Sequence, residues 1–301
     1  MSVNIIHIGL SKCASTLMQK YLFTQHPEIN YIQSNSDNSV KPYNNNFMAQ
    51  GFASDLQEFN NVINNNIDSR KVNLLSQEGF SGNMITGQNS GYYASALYKM
   101  YPKAKIVIVI REQVSYLYSV YRHMVSRGET YSMKKFINRY QHHKELNMTN
   151  MPGATIMHRL QYDKLVSEYI NYFGRDNVLI ILFEDLLEDF DRYIKDLYNF
   201  IGVSHNEFKN IKYNVGIKHP EMLSLINFFT NTPYNNGKLT ILPVAFQKAA
   251  IKILNMFPEY TNQLKKIKYL LGESNLNTIK KSNCLIQGIT GIDLKRHNYI
   301  V

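Results

Sequence analysis

Lys105-Ile106-Val107-Ile108-Val109-Ile110 constrains this chain more than any other segment. Five consecutive β-branched apolar residues follow the lysine, so neither side of the segment can face water. A central strand of a parallel sheet, covered by helices on both faces, meets that condition. The run is far too short for a membrane span, which needs about 20 apolar residues. Val3–Ile8, Lys71–Ser76 and Asn177–Phe183 also read as strands. Helical periodicity lies between them: Ala14, Leu17, Met18, Tyr21 and Leu22 share one face of a first helix. Further helices are expected over about Asp55–Ile67, Tyr92–Met100, from Gln113, Leu160–Phe173 and Asp189–Ile201. Four strands alternating with helices predict an α/β fold with a doubly wound parallel sheet. No strand signal follows Val215. The expectation is one domain over 1–301, with a core of about 1–215 and a helical, Lys-rich extension of about 216–301.

Composition narrows the function classes. Hydrophobic residues make up 44% and aromatics 12% of the chain, which excludes a wholly disordered one. The two cysteines, Cys13 and Cys284, exclude a disulfide framework and a paired-Cys zinc site. Both read as free thiols of a reducing compartment. Met1 to His7 runs straight into a strand without the basic and apolar regions of a secretory signal, so a cytoplasmic protein is expected. Lys and Arg total 33 against 23 Asp and Glu, a net charge of +10 that favours an anionic partner.

Two loops concentrate the candidate chemistry. The first, Gly9-Leu10-Ser11-Lys12-Cys13-Ala14-Ser15-Thr16, joins a buried strand to a helix at the carboxyl edge of the sheet, where ligands bind. Backbone N–H groups, two hydroxyls and Lys12 at a helix start suit a phosphate. A P-loop nucleotide kinase would need Gly-x4-Gly-Lys-Ser/Thr, but here the lysine is third after the glycine and the second glycine is absent. The second loop follows the central strand, which ends in Arg111 rather than in a metal-binding Asp. A side chain of that charge argues for a site without a metal. Ser115, Ser119 and Arg122 then fall on one face of the next helix, so Arg111 and Ser119 could grip one phosphate from two sides.

Together these segments resemble the nucleotide-binding signatures of sulfotransferases that use 3′-phosphoadenosine 5′-phosphosulfate (PAPS). Ser11-Lys12-Cys13-Ala14-Ser15-Thr16 corresponds to the loop that holds the 5′-phosphosulfate, and the Arg-x7-Ser element Arg111–Ser119 to the one that holds the 3′-phosphate. Leu75–Gly79, Tyr162-Asp163, Tyr172–Gly174, Val178–Leu186, Phe200–Gly202, Ser282-Asn283 and Gly291–Leu294 follow in family-like order. The resemblance implies a P-loop-like three-layer fold with PAPS as co-substrate, PAP as product and no metal. It assigns Lys12 to the leaving phosphate oxygen and Glu78, after the third strand-like segment, to the base. Glu184 and Asp185 are expected to be structural in such a protein. Cys13, near a helix start, could be unusually acidic.

The acceptor implied is a carbohydrate hydroxyl, for instance of a surface polysaccharide or a lipid-linked glycan. Arg122, His123, Arg127, Lys134, Lys135, Arg139 and Lys144 crowd one stretch and suggest an acidic glycan. Arg122, His123 and Arg127 are its first contacts. Solvated helical faces explain the same charges, and the second cluster at Lys248, Lys252, Lys265, Lys266 and Lys268 too. His142-His143 lacks partners at metal-ligand spacing. Two alternatives stay open: a metal-dependent nucleotide kinase, and a non-catalytic binder of acidic glycan or nucleic acid with salt-steep affinity for polyanions. No nucleic acid is expected as partner under the leading reading, and the sequence leaves the oligomeric state undetermined.

Overall fold

The structure, a computed structural model, describes residues 2–33, 53–141, 155–206 and 262–301, with 218, 220–224, 249, 252, 253 and 256. Five strands form one sheet: β1 (Ile5–His7), β2 (Ile29–Gln33), β3 (Val72–Ser76), β4 (Lys105–Ile110) and β5 (Val178–Leu182). Their order is β2-β3-β1-β4-β5, and every neighbouring pair is parallel. Ile106 to Ile110 are each fully buried, as a run without a polar side requires. Burying one such side chain contributes about 1.5–3 kcal/mol.

The helices whose bounds lie among the described residues are α1 (Ser15–Leu17), α2 (Ala53–Asn64), α3 (Ser90–Met100), α4 (Gln113–Ser126), α5 (Met133–Gln141), α6 (Ile156–Leu160) and α7 (Tyr162–Phe173). They continue with α8 (Phe183–Glu188), α9 (Phe190–Ile201) and α10 (Gln263–Thr290). The chain crosses from β1 outward to β2, and later from β3 back past β1 to β4. Right-handed crossovers in opposite directions put α1 and α3 on opposite faces of the sheet. On the α1 side the Tyr193 hydroxyl reaches Met18 Sδ at 3.4 Å and that of Tyr198 donates to the Leu22 carbonyl at 3.0 Å. On the other side α7 packs against α3, α10 and β4. The result is three layers.

Three local expectations are corrected. A fifth strand, β2, pairs with β3 from Ile29↔Val72 to Gln33↔Ser76. Its polar Asn30 and Gln33 dilute the strand pattern. Asn30 is satisfied by the Asn66 carbonyl and the Asn73 side chain, each at 2.7 Å. The helix expected over about Leu160–Phe173 runs from Tyr162 to Phe173, and a short helix not expected from the sequence, Ile156–Leu160, precedes it and ends at Gln161 (φ −85°, ψ 78°). The first helix is α-helical for three residues only and widens into a π-helix over Met18–Phe23. The Asn- and Ser-rich stretch 33–46, whose composition with Pro42 reads as a surface loop, lies from residue 34 outside the described residues, as do His142-His143, Lys144, Lys248 and the Arg139 side chain. Part of the expected extension does too; its described helix α10 packs on α4 and α7 and is kinked at Gly272 (φ 76°, ψ 161°).

Since β1 lies between β3 and β4, the tips of these three strands are neighbours at the carboxyl edge. The chain reverses direction across the sheet there, the position where α/β folds place ligands.

Candidate active site

The loop after β1 is shaped by its backbone. Ile8 and Leu10 still donate to Val107 and Val109 of β4, at 3.0 and 3.3 Å, and the Cys13 N–H closes a turn onto the Leu10 carbonyl at 3.2 Å. Lys12 (φ 69°) and Ala14 (φ 60°) then adopt left-handed conformations that L-residues with a Cβ rarely take. Gly9 is required for a different reason. A Cβ there would lie 2.5 Å from Nε2 of His7. That ring is fully buried, with Nδ1 2.7 Å from Ser76 Oγ, which also accepts from Gln19 Nε2 at 3.1 Å. Burial pushes the His7 pKa down to about 3, so the ring is neutral.

Glu78 follows β3 and opens a short 3₁₀ turn, Glu78–Ser81, with the Ser81 hydroxyl donating to its carbonyl at 2.7 Å. Its carboxylate receives the Ser15 hydroxyl and a side-chain hydrogen bond from Ser11. Burial raises the Glu78 pKa, opposed by Ser11 and the Lys12 charge. Burial lowers that of half-buried Lys12; Glu78 opposes the shift, while Arg111 and Arg122 reinforce it. A carboxylate tuned upward beside an amine tuned downward suits proton transfer next to charge stabilisation.

The loop after Glu78 is tied down from outside. Buried Arg159 donates to the Ser81 carbonyl at 2.8 Å and through Nε to the Asn83 carbonyl at 3.1 Å. Tyr116 and Tyr169 donate to the carbonyls of Met84 (2.6 Å) and Phe80 (2.9 Å).

Arg111 leaves the tip of β4 towards the same place. Its Nη1 donates to the Lys12 carbonyl at 3.1 Å, its guanidinium lies 4.4 Å from the Phe183 ring centre, and its buried Nε has no hydrogen-bond partner. Tyr162 holds the Arg111 carbonyl at 2.9 Å. The following Glu112 caps α4, accepting from Val114 N and Ser115 N at 3.1 and 2.7 Å. Its own N–H donates to Glu184 at 2.9 Å. Gln113 pairs with Asn283 of α10: Gln113 Nε2 donates at 2.5 Å and Asn283 Nδ2 at 3.2 Å.

The structure thus brings Ser11, Lys12, Ser15, Glu78 and Arg111 together, with Arg122 and His123 within electrostatic reach of Lys12. Arg122 packs 5.3 Å from the Tyr118 ring centre. Burial, then Lys12 and Arg127, lowers the His123 pKa. Thr16 and Arg127 are exposed, and Ser119 is half-buried two turns into α4. Cys13 corrects an expectation: it is fully buried and burial pushes its thiol up, because the left-handed turn points it into the core rather than at the helix start. The sequence reading missed Arg159, whose sole signal is a charge between apolar neighbours Ile156 and Leu160. It also missed His7, a polar residue inside a strand.

Among the described residues, Asp185, Glu188 and His297 bring metal-type ligand atoms within 4.8 Å of one another. Arg296 and His297 already occupy Asp185, at 2.5 and 2.7 Å, so the cluster fastens the chain after α10 to α8. No described helix is long and apolar enough to cross a membrane.

No curated protein matches the chain. Among solved structures, a sulfotransferase from Alicyclobacillus acidocaldarius superposes with a TM-score of 0.61 at 17% identity, over 98% of each chain. A mouse sulfotransferase complexed with PAP gives 0.45 at 13% identity, over 94% of this chain and 88% of its own. The Alicyclobacillus likeness speaks for a shared P-loop-like fold. The sulfotransferase family model matches residues 4–207, which span all five strands. With that match over two-thirds of its length, the chain belongs to the sulfotransferase family, and membership implies PAPS as co-substrate.

Proposed function

We propose that this enzyme moves the sulfuryl group of PAPS to a carbohydrate hydroxyl, with Glu78 as base and Lys12 on the leaving phosphate oxygen. The convergence of Glu78, Lys12 and Arg111 from three adjacent strand tips carries this reading. PAPS supplies a sulfur centre bonded to a phosphate oxygen. Glu78 takes the proton of the acceptor hydroxyl as its oxygen bonds to sulfur. The bond between sulfur and the bridging phosphate oxygen breaks, its electron pair stays on that oxygen, and Lys12 neutralises the charge left there. Ser11, Ala14, Ser15 and Thr16 make the 5′-phosphate cradle through hydroxyls and backbone N–H groups, and Cys13, whose N–H closes the turn onto Leu10, shapes its backbone. Arg111 and Ser119 hold the 3′-phosphate. The buried Nε of Arg111, lacking any partner, supports that role, since such a donor costs about 1–3 kcal/mol until it is paired. Arg122, His123 and Arg127 line the acceptor side and favour an acidic glycan. No residue in this scheme calls for a metal ion, and the protein works in the cytoplasm.

Calorimetry with PAP and ADP, with and without Mg²⁺, tests the donor. PAP binds preferentially and without the metal; preference for Mg-ADP would instead establish a kinase. The base is tested by a pH profile of kcat. Glu78 must be deprotonated to act, so turnover is lost as pH falls through a pKa above the ordinary 4.5. Glu78→Gln loses ~10²–10⁴ in kcat together with that limb. A limb that survives in the variant assigns the base elsewhere.

A further inference from the structure

The chain after α10 lies outside the matched segment, yet it returns to the tip of β4. Tyr299 is buried, and its hydroxyl donates to Glu184 Oε2 at 3.0 Å. The other carboxylate oxygen accepts the Glu112 N–H at 2.9 Å. Both oxygens of Glu184 are therefore committed. Arg111 stacks on Phe183, the residue before Glu184, and is the cation whose field acts on this carboxylate. Even so, among the described residues no ion pair within 4.0 Å joins Arg111 to Glu184, and Arg111 Nε stays unpartnered. These two groups of opposite charge are therefore not paired with each other. Tyr299 is itself firmly placed. Asn283 Nδ2 donates to the carbonyl of neighbouring Ile300 at 2.8 Å, while Arg296 and His297 grip Asp185.

We propose that Tyr299 is a positioning residue that holds the Glu184 carboxylate off the Arg111 guanidinium, leaving that cation open for a 3′-phosphate. The proposal rests on the reading of Arg111 as part of the 3′-phosphate cradle. Without the Tyr299 hydroxyl, Oε2 is released in a site where the field of Arg111 acts on it. An internal ion pair then competes with the ligand for the same guanidinium.

Calorimetric titration of PAP and of AMP, which lacks the 3′-phosphate, separates the possibilities. The wild-type protein prefers PAP; a wild type with no such preference would overturn the donor reading itself. Tyr299→Phe reduces the PAP-over-AMP preference roughly tenfold while AMP affinity stays unchanged. Tyr299→Phe/Glu184→Gln restores the preference, because a neutral amide does not compete for Arg111, and Glu184→Gln alone keeps it. A merely structural hydroxyl would weaken both nucleotides alike, and the second substitution would deepen the loss. Either of those results, or an unchanged preference in Tyr299→Phe, overturns the proposal.

Discussion

At the tip of β1 the backbone itself is bent into shape: Lys12 and Ala14 hold left-handed conformations within three residues, and Gly9 lies against a buried imidazole. At the tip of β4 the backbone runs on into α4 under the Glu112 cap. Its shape is held by side chains from far away in sequence: Tyr162, Glu184 and Asn283. One tip stores strain locally, of about 1–3 kcal/mol per residue in a sparsely populated region. The other depends on remote hydrogen bonds. The contrast teaches that neighbouring strand tips in one sheet can differ in what would break them. Substitutions within the first loop act on the loop itself, whereas the second tip can be damaged from a helix or a tail far away in sequence.

The largest test of that contrast is kinetic. Lys12→Ala lowers kcat by ~10²–10³, because the amine acts on charge that develops in the transition state. Arg111→Ala raises the KM for PAPS with a smaller loss in kcat, because a 3′-phosphate is bound equally before and during the reaction. Equal losses of kcat in the two variants would erase the functional distinction between the tips.

Stability sharpens the comparison further. Gly9→Ala places a methyl group against the immobile His7 ring and lowers stability by about 1–3 kcal/mol in denaturant titration. An unchanged midpoint would mean that the ring gives way and that the loop is less constrained than its geometry implies. The smallest effect runs the other way. Ala14→Gly relieves a left-handed φ and raises stability by about 0.5–1 kcal/mol, since part of the relief is offset by the greater freedom of glycine in the unfolded chain. A lower melting temperature in this variant would show that the Ala14 methyl contributes packing outweighing its strain.

Much of this was legible in the sequence. The run Lys105–Ile110 announced a central parallel strand because nothing in it tolerates water, and it is buried as expected. Lys12, Glu78 and Arg111 could be placed at strand ends by the turn residues around them. β2 escaped because an edge strand with Asn30 and Gln33 satisfies its polar groups sideways, which a periodicity argument does not register. Cys13 was misjudged since a helix start says nothing about which way a preceding left-handed residue turns the next side chain. Nor could spacing reveal Arg159, which is held by backbone carbonyls of a loop more than seventy positions away.

The link between Gln113 and Asn283 spans 170 positions, and that between Glu184 and Tyr299 spans 115. During synthesis the tip of β4 therefore emerges long before its anchors exist. Closing loops of this length is slow and entropically costly. The tip of β4 is accordingly among the last parts of the molecule to mature, and a growing chain can assemble its sheet well before the proposed 3′-phosphate site is complete.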